Sequence, residues 1–216
     1  MKALAECRLY AFVDTGYLQG RSPDFVAQQL CDGGVDLIQL RAKDSSIEYI
    51  ERMAETILPI TRKAGVGFVI NDHPEVAHKV GAECCHLGQD DFFESGHNQV
   101  SELKPNGEIP KVGLSTHSPE QAEHALAVGA DYIAVGPVFA TGTKPKVAPV
   151  TLEYVRWAAA NVRSPWFAIG GIHLGNVQEV LAAGARRICV VSAILNAPDV
   201  AEACRNFKKA LTLNSN

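Results

Sequence analysis

The stretch GADYIAVG, residues 129–136, decides the fold. Gly129 reads as the end of a helix, where glycine adopts the left-handed conformation that closes the last turn. Ala130-Asp131 is a short turn. Tyr132, Ile133, Ala134 and Val135 then run apolar without alternation, as a strand covered on both faces does. The same unit recurs as GVD before LIQLR (34–41), GAE before CCHLG (81–88) and GAR before RICVVS (184–192). The leading glycines are 47, 48 and 55 residues apart, and each interval holds two βα units.

Four further apolar runs fall between these: 9–13, 67–71, 111–115 and 166–169. Helical periodicity fills the gaps at 23–31, 46–64, 74–80, 119–128, 152–162, 174–183 and 200–211. Ser22-Pro23 and Ser118-Pro119 are N-cap and first-turn pairs. Residues 92–103 read as a loop with a short helix. Eight strand–helix alternations in 216 residues, with no linker or composition break, predict one α/β domain over 1–216, a compact (β/α)8 (TIM) barrel. The rival, an open doubly wound sheet for dinucleotides, lacks its G-x-G-x-x-G at the first strand–helix turn.

Composition narrows the partners. The chain is 47% hydrophobic with net charge −4 and no Lys/Arg-rich block, which argues against nucleic acid. No apolar run is long enough to span a membrane. Glu6 and Arg8 interrupt the N-terminus, which therefore lacks a clean signal region. The six cysteines form no C-x-x-C pair and read as reduced, mostly buried thiols without a zinc site. Together these predict a cytoplasmic protein acting on small molecules.

In such a barrel the C-terminal strand ends share one mouth, where active sites lie. They carry Gln39, Arg41 and Lys43 after strand two, Asn71-Asp72 after strand three, and HLGQDD (86–91) after strand four. Ser115-Thr116-His117 follow strand five and GPVFATGTKP (136–145) follows strand six. Gly170-Gly171 and Val191-Ser192 end strands seven and eight. Arg41, Lys43 and Lys144 bring positive charge to this mouth, and Asp72 and Asp91 bring carboxylates. Carboxylates beside cations at a phosphate site suggest Mg²⁺, held by one or two carboxylates, waters and ligand phosphate. The glycines, hydroxyls and backbone N–H groups of the last three strand ends suit a second phosphate. His86, His117 and His173 read as buried or capping imidazoles, and the serines lack the partners of an acyl-transfer triad.

The ordered set QLRAK (39–43), IND (70–72), HLGQDD, GLSTHS (113–118), GPVFATGTKP, IGGI (169–172) and VVSAI (190–194) resembles the thiamine-phosphate synthase family over nearly the whole chain. The resemblance implies that hydroxymethylpyrimidine diphosphate is joined to a thiazole phosphate with release of diphosphate, through a pyrimidine carbocation. It implies Mg²⁺ on Asp72 and Asp91. It assigns the pyrimidine diphosphate to Gln39, Arg41, Lys43, Asn71, Ser115 and Lys144, with Arg41, Lys43 and Lys144 stabilising the departing charge. It assigns the thiazole phosphate to Thr141, Thr143, Gly171, Val191 and Ser192. The chain departs from the family at His73, where arginine is common, at Cys84-Cys85, and at Lys146-Val147, where an acid is common. Three other readings are a thiazole tautomerase-like paralogue, a non-catalytic phosphate-ligand sensor and a tryptophan-pathway isomerase. The first lacks the diphosphate and metal set, and the third fits QLRAK and the carboxylates less well.

Overall fold

The computed structural model describes residues 1–104, 110–142 and 148–213. Eight strands close in sequence order into a barrel: β1 (Leu9–Asp14), β2 (Leu37–Arg41), β3 (Gly67–Asn71), β4 (Cys84–Gly88), β5 (Lys111–Thr116), β6 (Tyr132–Val135), β7 (Trp166–Ile169) and β8 (Ile188–Cys189). Every neighbouring pair is parallel, and β8 returns to β1 through Leu9↔Ile188 and Tyr10↔Cys189. Helices cover the outside: α1 (Pro23–Asp32), α2 (Ile47–Ala64), α3 (Pro74–Val80), α4 (Gln89–Glu94), α5 (Pro119–Ala127), α6 (Thr151–Asn161), α7 (Val177–Ala182), α8 (Ser192–Leu195) and α9 (Val200–Leu213). This is the (β/α)8 architecture that the glycine-led repeat predicts. No helix among the described residues is long and apolar enough to cross a membrane.

The interior is filled by rings. Tyr10, Tyr132 and Phe167 meet edge to face at centroid distances of 5.3 to 6.4 Å. That geometry brings positive ring edges onto negative ring faces. Cys7, Cys84, Cys85, Cys189 and Cys204 are buried free thiols, and Cys31 is half-buried. Burial pushes the thiols of Cys7 and Cys31 up to about 11, so they stay protonated and inert at neutral pH.

Three local differences from the sequence reading have physical causes. The apolar run 187–192 yields a strand of only two residues, because Val191 leaves extended geometry at φ −110°, ψ −87° and Ser192 already opens α8. Gln89, Asp90 and Asp91 are not a strand tail but the first turn of α4, which starts directly after Gly88. The helix predicted from 174 begins at Val177, because Asn176 is occupied with the preceding loop. Its Oδ1 accepts the His173 N–H at 2.8 Å and its Nδ2 donates to the Gly171 carbonyl at 2.9 Å.

The repeat also has a chemical function at the N-terminal mouth. The acid just before each of β2, β4 and β6 accepts a backbone N–H from the preceding strand. Asp36 takes those of Arg8 and Leu9 at 2.9 and 3.0 Å. Glu83 takes that of Phe68 at 3.0 Å, and Asp131 that of Val112 at 2.7 Å. These are charge-assisted bonds to groups at the sheet's start that would otherwise lack a partner. Asp36 is 4% exposed and also accepts from Lys2 and Lys208, both at 2.8 Å, which ties α9 to the barrel floor.

Burial alone would push the Asp36 carboxyl up, but the two lysines and the backbone donors outweigh it and hold it below the usual range. Its folded-state pKa therefore lies below the unfolded one. The stabilisation is complete above the unfolded value, about 3.9, and is lost as pH falls through the folded value. We expect Asp36→Asn to cost about 2 kcal/mol at pH 7 by urea unfolding. The gap to the parent should narrow as pH drops below about 4. A gap independent of pH would mean that the charge carries none of it.

Candidate active site

At the C-terminal mouth the strand ends surround a cleft of about 1010 Å³, open solvent at its entrance included. Gln39, Arg41, Lys43, Asn71, Asp72, Asp91, Ser115, Thr141, Gly171, Val191 and Ser192 all line it. Thr143 and Lys144, together with Lys146-Val147, lie outside the described residues.

One side is charged. Arg41 ends β2 directly opposite Asp14 on β1, and its guanidinium meets the Asp14 carboxylate at 2.8 Å. Asp14 is 2% exposed, so the pair fixes a guanidinium at the wall and leaves further donors of its planar fork unspent. Lys43 stands 3.9 Å from the Asp72 carboxylate. Asp72 sits at φ 63°, left-handed backbone that costs a side-chain-bearing residue about 1–2 kcal/mol. Its N–H is held by the His86 carbonyl at 2.8 Å.

Asp91, in the first turn of α4, lies against Gly88 so closely that a Cβ there would strike its carboxylate. Only glycine at 88 leaves Asp91 where it is. Two carboxylates at one mouth are the hard oxygen donors that suit Mg²⁺. Among the described residues no group of three or more His, Cys, Asp and Glu assembles, so further ligands would have to be waters and substrate oxygens. That donor set fits a cation bound jointly with a phosphorylated ligand.

The floor is a polar chain running up from the barrel core. Gln39 donates to the Tyr10 hydroxyl at 2.5 Å, and Tyr10 and Tyr132 share a hydrogen bond at 3.4 Å. His86 bonds the Tyr132 hydroxyl through Nδ1 at 3.2 Å and Ser115 Oγ through Nε2 at 3.0 Å. Burial first, and then neighbouring buried groups, push both tyrosine pKa values far up, so both stay neutral. His86 thus holds Ser115 from below, a role that reading the strand ends alone misses. The signal that finds it is period two. Tyr10, Phe12, Gln39, Arg41, His86 and Gly88 line the cleft at alternate positions of their strands, as side chains pointing into a barrel must. His73 instead stands at the N-cap position of α3, with its ring on Glu75 at 3.1 Å. His117 bonds the Gly136 carbonyl.

The opposite side is backbone and hydroxyl. After β6 the chain lies on the end of β7, with Val138 N–H on the Ile169 carbonyl at 2.8 Å and Phe139 N–H on the Gly170 carbonyl at 3.1 Å. A Cβ at Gly136 would run into that Ile169 carbonyl, which is why the strand ends in glycine. The arrangement places Thr141, Gly171, Val191 and Ser192 on one wall.

The backbone at Asp72 yields a test that does not depend on the reaction. We expect Asp72→Gly to be more stable than Asp72→Ala by about 1 kcal/mol in urea unfolding, because glycine accepts φ 63° and alanine does not. Equal stabilities would remove the strain argument.

Comparison with known proteins identifies the family. A family model described as thiamine monophosphate synthase matches residues 9–194. A thiamine-phosphate synthase of Thermus thermophilus is 48% identical over 180 residues, covering 83% of this chain and 84% of that one. One from Lawsonia intracellularis is 40% identical over 206 residues, covering 95% and 93%. Among solved structures, a thiamine phosphate pyrophosphorylase from Pyrococcus furiosus superposes with TM-score 0.86 at 28% identity over 99% of both chains. A 3-hexulose-6-phosphate synthase at TM-score 0.63 and 17% identity shares the fold. With its barrel, its two-sided cleft and these matches, the chain belongs to the thiamine monophosphate synthase family.

Proposed function

We propose that the chain joins hydroxymethylpyrimidine diphosphate to a thiazole phosphate, releasing diphosphate and giving thiamine phosphate, as a Mg²⁺-dependent cytoplasmic transferase. The observation that carries this reading is the division of one cleft. Arg41, Lys43, Asp72 and Asp91 stand on the β2–β4 side, and a wall of Thr141, Gly171, Val191 and Ser192 stands on the β6–β8 side. Two anionic substrates can then be held at once with their reacting atoms between them.

The residues supply position and charge rather than a nucleophile. As the pyrimidine's C–O bond breaks, the electron pair leaves with the diphosphate. Arg41 and Lys43 meet that growing charge and favour the transition state over the ground state, a role that the family resemblance also gives to Lys144. Mg²⁺ on Asp72 and Asp91, when bound with the phosphate oxygens, would supply Lewis-acid stabilisation of the same leaving group. Gln39, Asn71 and Ser115 hold the pyrimidine half, and His86 keeps Ser115 oriented. The opposite wall anchors the thiazole phosphate, a role that the family resemblance also gives to Thr143, so that the ring nitrogen's lone pair forms the new C–N bond to the carbon left electron-poor. The gain there is proximity.

Purified protein given both substrates and Mg²⁺ is expected to release diphosphate and form thiamine phosphate, and omitting Mg²⁺ should stop it. Folded protein that forms no product would sink the synthase reading, and turnover unaffected by chelation would sink the metal. Asp91→Asn should lower kcat about 100-fold or more. Thr141→Ala should raise KM for the thiazole phosphate about tenfold while leaving KM for the pyrimidine unchanged. The reverse pattern would mean that the two subsites are exchanged.

A further inference from the structure

The N-terminal mouth, on the far side of the barrel from the cleft, breaks its own rule at β8. One pairing step before each even-numbered strand lies Asp36, Glu83 or Asp131, each accepting a backbone N–H of its neighbour. One pairing step before Ile188↔Ala168 lies Arg187. A donor stands where the pattern has an acceptor, and Arg186 precedes it. Arg8 at the start of β1 and Arg163 after α6 line the same recess, whose walls include Trp166 and Ser164. No acidic residue is among the described residues that line it.

Four arginines therefore gather in one recess of a chain whose net charge is −4. Arg187 donates to the Ala5 carbonyl at 2.6 Å, a neutral acceptor. Among the described residues no carboxylate lies within 4.0 Å of Arg163, Arg186 or Arg187. The Nε of Arg187 is buried with no hydrogen-bond partner, a state that costs about 1–3 kcal/mol. Burial first, and then the charges of Arg186 and Arg8, push Arg187 below the ordinary arginine value, although Cys7 opposes them. Nor are the arginines capping α7. Its last carbonyls already accept the N–H groups of Ala183, Gly184 and Ala185.

We propose that this recess is a second anion site, built for a phosphate group carried by a small molecule or free in solution. Phosphate is the anion whose several oxygens match clustered guanidinium forks. The site is separate from the catalytic cleft and does not depend on the reaction assigned to it.

Trp166 reports on the recess. In a Trp157→Phe background it is the remaining tryptophan of the chain's two. Titration with inorganic phosphate, against sodium chloride at matched ionic strength, should change its fluorescence saturably. Arg163→Glu with Arg186→Glu should weaken that binding at least tenfold, and Arg163→Gln with Arg186→Gln should weaken it less. Arg41→Ala, in the other mouth, should leave it unchanged. Glycerol phosphate titrated in parallel tells ester from free phosphate, and saturable binding of either supports the site. Turnover without added phosphate should be the same in the double glutamate variant as in the parent. The proposal is overturned if chloride reproduces the change, if the glutamate variant titrates like the parent, or if Arg41→Ala abolishes it. Self-association in sedimentation that only the arginine substitutions disrupt, without phosphate binding, overturns it as well.

Discussion

Two pairings, Leu9↔Ile188 and Tyr10↔Cys189, close the sheet, and both mouths of the molecule depend on that closure. A parallel sheet left open would splay its strand ends along an edge. Closed, it turns all eight ends of each kind toward a common axis, so residues far apart in sequence meet. Arg41 reaches Asp14 because β1 and β2 run in register, and His86 reaches Tyr132 and Ser115 because β4, β5 and β6 curve round one interior. The ring packing of Tyr10, Tyr132 and Phe167 fills that interior and supports the cleft floor. A cavity beneath it would loosen the same hydroxyls that hold Gln39 and His86.

Much of this was legible because a buried parallel strand writes itself as a continuous apolar run bounded by glycine. β2, β3 and β4 fall where such runs predict. The eighth does not. Val190 still gives its N–H to the Tyr10 carbonyl at 2.9 Å, but Val191 turns out of extended geometry into α8, and that backbone turn is not written in the apolar run. Asp14 was out of reach for a related cause. Its meaning comes from facing Arg41, and register between strands is not written in either strand. His86 required knowing which alternate residues face inward. A lone imidazole in an apolar run fits a packed interior as well as a cleft floor. The charged strand ends, by contrast, needed only the barrel's polarity to be collected at one mouth.

The two mouths use charge differently. At the N-terminal end, carboxylates are spent on stabilising the sheet, each satisfying backbone donors that water would otherwise have to reach. At the C-terminal end, Asp72 and Asp91 are not used that way. Asp72 is 27% exposed at its side chain, lines the cleft and is held in left-handed backbone, which is unfavourable for folding. The glycine at 88 has the same logic, since any larger residue would displace Asp91.

A cleft that lines one wall with cations and carboxylates and the other with glycines and hydroxyls also separates two kinds of binding. A departing diphosphate gains negative charge during the reaction, so mobile or metal-assisted cations stabilise it most at the transition state. A phosphate that merely anchors its molecule keeps constant charge throughout. Backbone and hydroxyl donors suffice there, because uniform binding fixes position without needing to grow. The asymmetry of the walls therefore follows from which phosphate leaves and which stays. On the proposed reaction, electrostatics therefore puts the leaving group on the β2–β4 side.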